Sequence, residues 1–447
     1  MKLIRPKSLF ENRAARGSVL IIVLWIAIGL VGIALYFANS MTYELRASDN
    51  RASGLATGQA IEGAARYVTY VLSNFATNGA VPENTQFACE AVPVGDAHFW
   101  IIGRDPSGTP SSEPYFGLID EGSKLNLNTA GTNALSYLPN MTLDFADAIL
   151  DWRSTNGGGA FSLDYTALGY VDKNAPFETV DELRLVYGAT IDLLAGNDIN
   201  RNGVLDSNEK DLNGGDQVEP GLFEYTTVYT REPNFHADGS SLTNVNTATS
   251  DQLSTLFQGA NISTTYINTI MVRRPATGYT SLLQFYLSSG MNSSELAEII
   301  NNVTASSSAY SRGRVNINTA GGPVLTALFM GIGVDQSTAA SAVQTLLNYR
   351  EQNPDNLGSI AWLVDALGRT SPVVTALEQG DYITTRSFQF TADIAAIGPF
   401  GRGYRRVKFI FDTSDGAPKI IYRQDLSRLG WALGDKVRQT WIASATQ

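Results

Sequence analysis

From Gly17 to Tyr43 the chain carries no charged residue. The core of this stretch, Val19 to Leu35, is long enough as a helix to cross a hydrocarbon layer of roughly 30 Å. Lys2, Arg5, Lys7, Arg13 and Arg16 precede it, with Glu11 the single acid among them. Positive charge before an apolar span places residues 1–17 in the cytoplasm and everything after the span on the far side. A membrane-tethered chain with a large external body is the first constraint on any fold.

The apolar run exceeds the usual h-region of a cleaved secretory signal and lacks a clear small-x-small site after it. Helical character continues instead. Residues 41–74 hold scattered charges and no proline, and Leu55, Ile61, Ala65, Val68 and Leu72 recur as on one helix face. One helix of about 50 residues is expected, beginning in the membrane and emerging from it.

Composition narrows the chemistry. The net charge is −11, and the first 17 residues contribute +4, so the remainder holds −15. Such an acidic body repels phosphate backbones and suits cations. A single cysteine, Cys89, excludes an internal disulfide framework, and two histidines, His98 and His236, leave little for His-based catalysis. No Ser/His/Asp set or carboxylate pair emerges, and an enzyme is not expected. Gly157-Gly158-Gly159 lacks a following Lys-Ser/Thr and reads as a loop. Arg273-Arg274-Pro275 is too short to be an electrostatic patch.

Short, aromatic-rich runs follow the long helix: 87–92, Ala97 to Ile102, and Tyr115 to Asp120. Three more lie near the C-terminus, 387–394, 405–412 and 419–423, joined by Gly-rich turns as in an antiparallel meander. The stretch between the two sets reads as mainly helical. The fold class expected is α+β: a long N-terminal helix and an antiparallel sheet domain, the sheet interrupted by a large helical insertion. The divisions are 1–17 as leader, 18–40 and 41–80 as the membrane and external parts of the helix, 81–127 as the first part of the sheet domain, 128–380 as the insertion, and 381–447 as the closing strands.

The insertion contains a repeat. Asn126-Leu127-Asn128-Thr129-Ala130, Asn244-Val245-Asn246-Thr247-Ala248 and Asn316-Ile317-Asn318-Thr319-Ala320 share Asn-x-Asn-Thr-Ala. A helical pattern follows each, and Asn and Thr at a helix start suggest capping of free N–H groups. The third copy continues through Gly331-Ile332-Gly333 to Leu346-Leu347-Asn348-Tyr349-Arg350, which resembles a helix-hairpin-helix unit. Such hairpins can grip phosphates through backbone N–H groups. Residues 319–349 contain no Lys or Arg, however, so a structural use is expected and nucleic acid is not expected as a partner.

Asp198-Ile199-Asn200-Arg201-Asn202-Gly203-Val204-Leu205-Asp206-Ser207-Asn208-Glu209 fits a twelve-residue EF-hand loop. Asp198, Asn200, Asn202, Asp206 and Glu209 would supply side-chain oxygens, Val204 its carbonyl, and Gly203 the sharp turn. Hard oxygen donors without sulfur or imidazole favour Ca²⁺, in a structural role. Three acidic ligands imply modest affinity. Asp211, Asn213, Asp216 and Glu219 form a possible second site.

Arg16-Gly17-Ser18-Val19-Leu20-Ile21-Ile22-Val23-Leu24-Trp25 resembles a type IV prepilin-like signal. The resemblance implies cleavage by a prepilin peptidase between Gly17 and Ser18 and N-methylation of Ser18. That family usually carries glutamate at the fifth mature position, where this chain has Ile22. A carboxylate there would pair with a neighbouring subunit's amino terminus, offsetting the cost of either charge in lipid. The K minor pseudopilin (GspK) of type II secretion typically lacks that glutamate and carries Asn-Thr-Ala helical units. The chain resembles that family from leader to last strands.

The resemblance implies a non-catalytic tip subunit, held single-pass in the inner membrane with its body in the periplasm. With I- and J-type minor pseudopilins it would initiate the pseudopilus for protein secretion across the outer membrane. A type IV pilus minor pilin or tip adhesin, and a membrane-tethered helix-hairpin-helix DNA receptor, are the alternatives. Gly17→Ala should leave the precursor uncut in cells that hold the peptidase. Mature-length chain in that mutant, seen by intact mass, would refute the prepilin reading.

Overall fold

The computed structural model describes residues 18–105, 111–155, 159–211, 214–215 and 217–444. The leader, with Gly17, lies outside the described residues, as do Gly157 and Gly158. Helix α1 runs unbroken from Ser18–Phe75. From Val19 to Ala52 it is almost wholly exposed, and it contains an 18-residue window of mean hydropathy 2.8. At 1.5 Å per residue, about 50 Å of helix therefore projects from the body. Burial begins at Ser53 and Thr57 and continues through Ala60, Ile61, Ala64, Ala65, Val68 and Leu72. That stripe follows the three-to-four spacing read from the sequence, except that Leu55 is exposed on the opposite side. Small residues at 60, 64 and 65 let the helix lie close on its partner.

That partner is one antiparallel sheet. Strands β1 (Val92–Val94), β2 (Ala97–Ile102), β12 (Gln389–Ile397), β13 (Tyr404–Asp412) and β14 (Lys419–Asp425) lie in that order, and β3 (Ile119–Asp120) pairs with β12 beside β2. The sheet thus joins segments from both ends of the body. The predicted strands at 97–102 and in the C-terminal meander are present. The run 87–92 is strand only from Val92, and 115–120 only from Ile119, with a lone bridge at Phe116.

Alternation along the two central strands gives the sheet two unlike faces. Phe390, Ala392, Ile394 and Ala396 of β12, with Val407, Phe409 and Phe411 of β13, form one apolar core with α1. On the other face, Trp100, Ile102, Ala395 and Ile397 pack under Ala432, Leu433, Trp431 and Trp441. Trp441 belongs to a C-terminal helix, Gly434–Ser444, that the sequence reading missed. Its alternating charges Asp435, Lys436 and Arg438 give it a weak apolar pattern. The rest of that second face is polar around one buried apolar residue, Ile410: Gln389, Thr391 and Asp393 of β12, and Arg406, Lys408 and Asp412 of β13. The insertion covers it.

The insertion has its own large core, shared by its helices. Its limits differ from the expected 128 and 380. Strand β4 (Leu125–Asn126) leaves the main sheet and pairs in parallel with β5 (Thr226–Thr227), and β10 (Val315–Asn316) pairs in parallel with β11 (Ile383–Thr384). Chain belonging to the insertion therefore starts after Asp120 and ends before Gln389.

Phe390 is fully buried between helix and sheet. Phe390→Ala should lower unfolding stability by about 3–5 kcal/mol. Denaturant unfolding of the detergent-solubilised chain measures it, and a loss under about 1 kcal/mol would show that this seam does not hold the helix.

Candidate functional site

The three motif copies build one local structure three times. The first Asn of each ends a two-residue strand paired in parallel with a return strand: β4 with β5, β7 (Thr243–Asn244) with β8 (Val303–Thr304), and β10 with β11. The first Asn side chain accepts from the N–H two residues on, at Asn128, Asn246 and Asn318 (2.8, 2.9 and 3.0 Å). Its carbonyl accepts from the Ala N–H at 130, 248 and 320. The second Asn reaches across to backbone carbonyls of Phe177, Tyr279 and Leu357. Capping is therefore not the motif's work. The helices that follow start later, at Thr132, Ser250 and Gly322, with Gly131, Thr249 and Gly321 as their N-caps.

An arginine closes each unit. Arg153 and Arg350, from the end of the second helix, donate to the motif carbonyls of Leu127 and Ala130, and of Ile317 and Ala320. Arg274 donates to Ala248. Aligning the three copies would have revealed these arginines, which the sequence reading did not assign. In the third unit the helices Gly322–Gly331 and Gln336–Gln352 meet at Gly331-Ile332-Gly333. There the N–H groups of Ile332, Gly333 and Val334 donate to Leu328, Met330 and Phe329 of the same hairpin. Gly331 itself abuts Ala134 of the first unit, where an added Cβ would lie 2.6 Å from the Ala134 Cα. This turn is spent on internal packing.

The twelve-residue loop is an outgrowth of the first unit, held at its neck by Asn197 and Glu219, whose backbone and side chain interlock at 3.1 and 2.6 Å. Asp198, Asn200, Asn202 and Val204 are buried, whereas Asp206 and Glu209 are half-buried. Asp198 accepts from the N–H groups of Asn202 and Gly203, both at 2.9 Å. Gly203 has φ +85°, which an L side chain rarely adopts, so the turn needs glycine. Glu209 accepts from Asn200 N–H at 3.1 Å and Asp206 N–H at 3.0 Å, folding the loop's last position back onto its start. Asn200 and Asn202 both aim their carboxamides at Asp206, with Nδ2–Oδ2 distances of 2.5 and 3.0 Å.

Burial pushes the Asp198 carboxyl up to about 6, against the opposing pull of Arg104 and the Gly203 N–H. Asp206 is likewise raised, by burial first. Among the described residues no three His, Cys, Asp or Glu side chains alone are placed to hold a metal. The loop's set instead mixes carboxylates with the amide oxygens of Asn200 and Asn202, all hard donors without sulfur or imidazole. A half-turn of each carboxamide exchanges its nitrogen for its oxygen. In donor chemistry, the residues present fit Ca²⁺. Of the second acidic set, Asn213 and Asp216 lie outside the described residues. Asp211 is an exposed turn residue bonded to Gly214 N–H, and Glu219 serves the neck.

The loop sits against the polar face of the sheet. Arg406, fully buried, pairs with Asp393 through Nε–Oδ1 at 2.8 Å and donates to the carbonyls of Asn200 and Arg201. Arg104, just after β2, pairs with Glu224 at 2.8 Å and donates to Arg201. Nearby, Glu121 bonds Lys124, Thr227 and Thr391. Asp120 receives Asn316, Thr319 and Ser387, and Glu232 pairs with Arg314 and Arg386. Directed bonds cross between insertion and sheet: Arg406 to the Asn200 and Arg201 carbonyls, Arg104 to Glu224, Thr391 to Glu121 and Arg231 to Asp412. The Arg406–Asp393 pair lies within the sheet, and the Glu121–Lys124 and Glu232 pairs lie within the insertion. Nothing adjacent in sequence marks these partners. The one available signal was the charge at alternate positions of two otherwise apolar strands.

Burial alone would raise the Glu121 carboxyl. The Lys124 and Lys408 ammonium groups and the hydroxyls of Thr227 and Thr391 outweigh it and bring the carboxyl down to about 2. A depressed folded value means stability present above the ordinary value of 4.5 and lost as pH falls from there toward 2. The stability gap between wild type and Glu121→Gln should be about 3 kcal/mol or less and constant from pH 7 to 5, then shrink at pH 3. A gap unchanged at pH 3, by denaturant unfolding, would contradict the ion-pair account.

No family model and no curated protein matches the chain. Among solved structures it is similar to the GspK-GspI-GspJ complex from the enterotoxigenic Escherichia coli type 2 secretion system, at 13% identity and a TM-score of 0.38. The match covers 86% of this chain and 99% of that one. The chain's own residues carry the functional reading.

Proposed function

We propose that this chain is a minor pseudopilin of the K type in a bacterial type II secretion system, a structural subunit rather than an enzyme. The carrying observation is helix α1, a single 58-residue helix. Its apolar first part stands free of the body, and its second part lies along an antiparallel sheet. In the sequence, a basic leader ending in Gly17 precedes it. A helix of this form serves both as membrane anchor and as the packing element of a filament.

Prepilin peptidase would cut after Gly17, leaving Ser18 as the mature terminus in the inner membrane, open to N-methylation, with the body in the periplasm. Ile22 supports a place at the filament tip, because a subunit with no neighbour above it needs no carboxylate there to meet a neighbour's amine. The insertion supports the same place, since its bulk would obstruct a subunit stacked on it. I- and J-type minor pseudopilins are the partners this reading assigns, and initiation of the pseudopilus its role.

The DNA-receptor reading is disfavoured by the third hairpin, whose turn N–H groups are bonded internally and whose glycine is packed against Ala134. Asp198, Asn200, Asn202, Val204, Asp206 and Glu209 would hold Ca²⁺ when bound. The ion would supply positive charge to a buried carboxylate cluster and stiffen the loop.

Co-expression of the full chain with I- and J-type pseudopilins and prepilin peptidase in membranes tests the assembly. The expected outcome is a mature chain starting at Ser18 that co-purifies with both partners in detergent. Recovery of the cut chain alone would overturn the assignment. For the loop, Asp198→Ala with Glu209→Ala should lower the melting temperature by several degrees only when Ca²⁺ is present. Identical melting of mutant and wild type across a calcium titration would show that the loop binds no calcium.

A further inference from the structure

We infer that the loop 198–209 is the clasp fastening the inserted domain to the sheet, with Arg406 as its positioning residue, so that calcium loading and docking of the two parts reinforce each other. This rests on the calcium reading above and goes beyond it in naming what the ion would control.

Asn200 stands at the third position of the loop and touches three parts of the molecule. Its carboxamide bonds Asp206 at the loop's centre. With that nitrogen toward Asp206 it also donates to the carbonyl of Trp431, in the C-terminal segment that covers the apolar end of the sheet, at 3.0 Å; a half-turn that aims the oxygen at an ion gives this bond up, so the coupling runs through the backbone contacts that follow. Its own carbonyl accepts from Arg406 Nη1. The next carbonyl, of Arg201, accepts from Arg406 Nη2 at 2.8 Å and from Arg104 Nη2 at 3.2 Å. Two arginines from the sheet side therefore pin the backbone between two candidate ligands, Asn200 and Asn202. The C-terminal segment is tied to the same point, because Leu426 N–H donates to the Arg406 carbonyl at 2.9 Å and Arg406 N–H donates to Ser427 Oγ at 3.1 Å.

Two guanidinium groups beside a cation site would normally weaken it. Here each is matched by its own carboxylate: Arg406 by Asp393 through two bonds, and Arg104 by Glu224. The arginines can therefore act as backbone donors without opposing a cation by an unbalanced charge. Holding the Asn200 and Arg201 carbonyls still also restricts the side chains at 200 and 202 before any ion arrives, and preorganisation of this kind raises affinity. Linkage makes the relation mutual: whatever docking contributes to calcium affinity, calcium binding returns to docking. Several directed bonds at this point cross between insertion and sheet, so a contribution at the clasp is felt.

The test uses the full chain in detergent and two measurements, calcium affinity by calorimetry and amide hydrogen exchange with and without calcium. In wild type, calcium should slow exchange in the loop 198–209 and also in 426–433, which lies across the interface. Arg406→Gln should weaken calcium binding about tenfold and abolish the response of 426–433. Arg104→Gln, which leaves the buried Arg406–Asp393 pair intact, should weaken it a fewfold. Should Arg406→Gln fail to fold, the wild-type exchange comparison and Arg104→Gln decide the matter. Calcium that protects the loop alone, or unaltered affinity in Arg104→Gln and Arg406→Gln, would overturn the clasp. No binding heat with wild type would instead refute the calcium reading itself, and the clasp with it.

Discussion

The hydrogen-bonded pair of β12 and β13 is the constraint on which the remaining structure depends. Nine residues of each strand pair in register, and their side chains alternate between two environments. One set, Phe390 to Ala396 and Val407 to Phe411, is apolar and forms the bed of α1. The other set includes Gln389, Asp393, Arg406 and Asp412, each buried and each bonded. A slip of one residue would turn charges onto the helix and phenylalanines onto the insertion, so the two faces specify the register together.

The asymmetry has an energetic reading. The helix side is held by non-directional apolar burial, which tolerates small shifts along the helix axis. The insertion side is held by directed, charge-assisted bonds. Such buried pairs add little net stability against an apolar isostere, but breaking one partner of a pair leaves an uncompensated charge and is costly. They fix where the insertion sits more than how strongly it is held. An insertion built from three similar units, each closed by its own strand pair and arginine, is internally self-sufficient and needs orientation from the sheet more than core area.

Much of this was legible from residues near one another in the chain. The long helix, its apolar first part, the strand at 97–102 and the C-terminal meander follow from periodicities of 3.6 and 2 that each segment carries itself. The repeat was visible because identity of residues shows it directly. Its purpose was misread: the Asn side chains bind their own turn and a distant carbonyl, and a helix-start motif looks the same locally. Leu55 was placed on the buried stripe by spacing alone, though the sheet begins to cover the helix only at Ser53 and from another side. The tight turn within 198–209 was legible because it is a local pattern, with Gly203 supplying the positive φ it requires.

What the amino-acid sequence determined by itself, then, is everything written at short range: the anchor, the helix, the strands, the repeat and the twelve-residue loop. What only the tertiary structure decided is which of these meet. Asp393 and Arg406 lie far along the chain from Asn200 and Arg201, and so do the segments that pair as β2 and β12. β4 likewise pairs with a strand a hundred residues onward rather than with its neighbour in sequence. Pairing across such separations is set by loop closure and by the complementary charge and shape of whole surfaces, and no local stretch of residues encodes either.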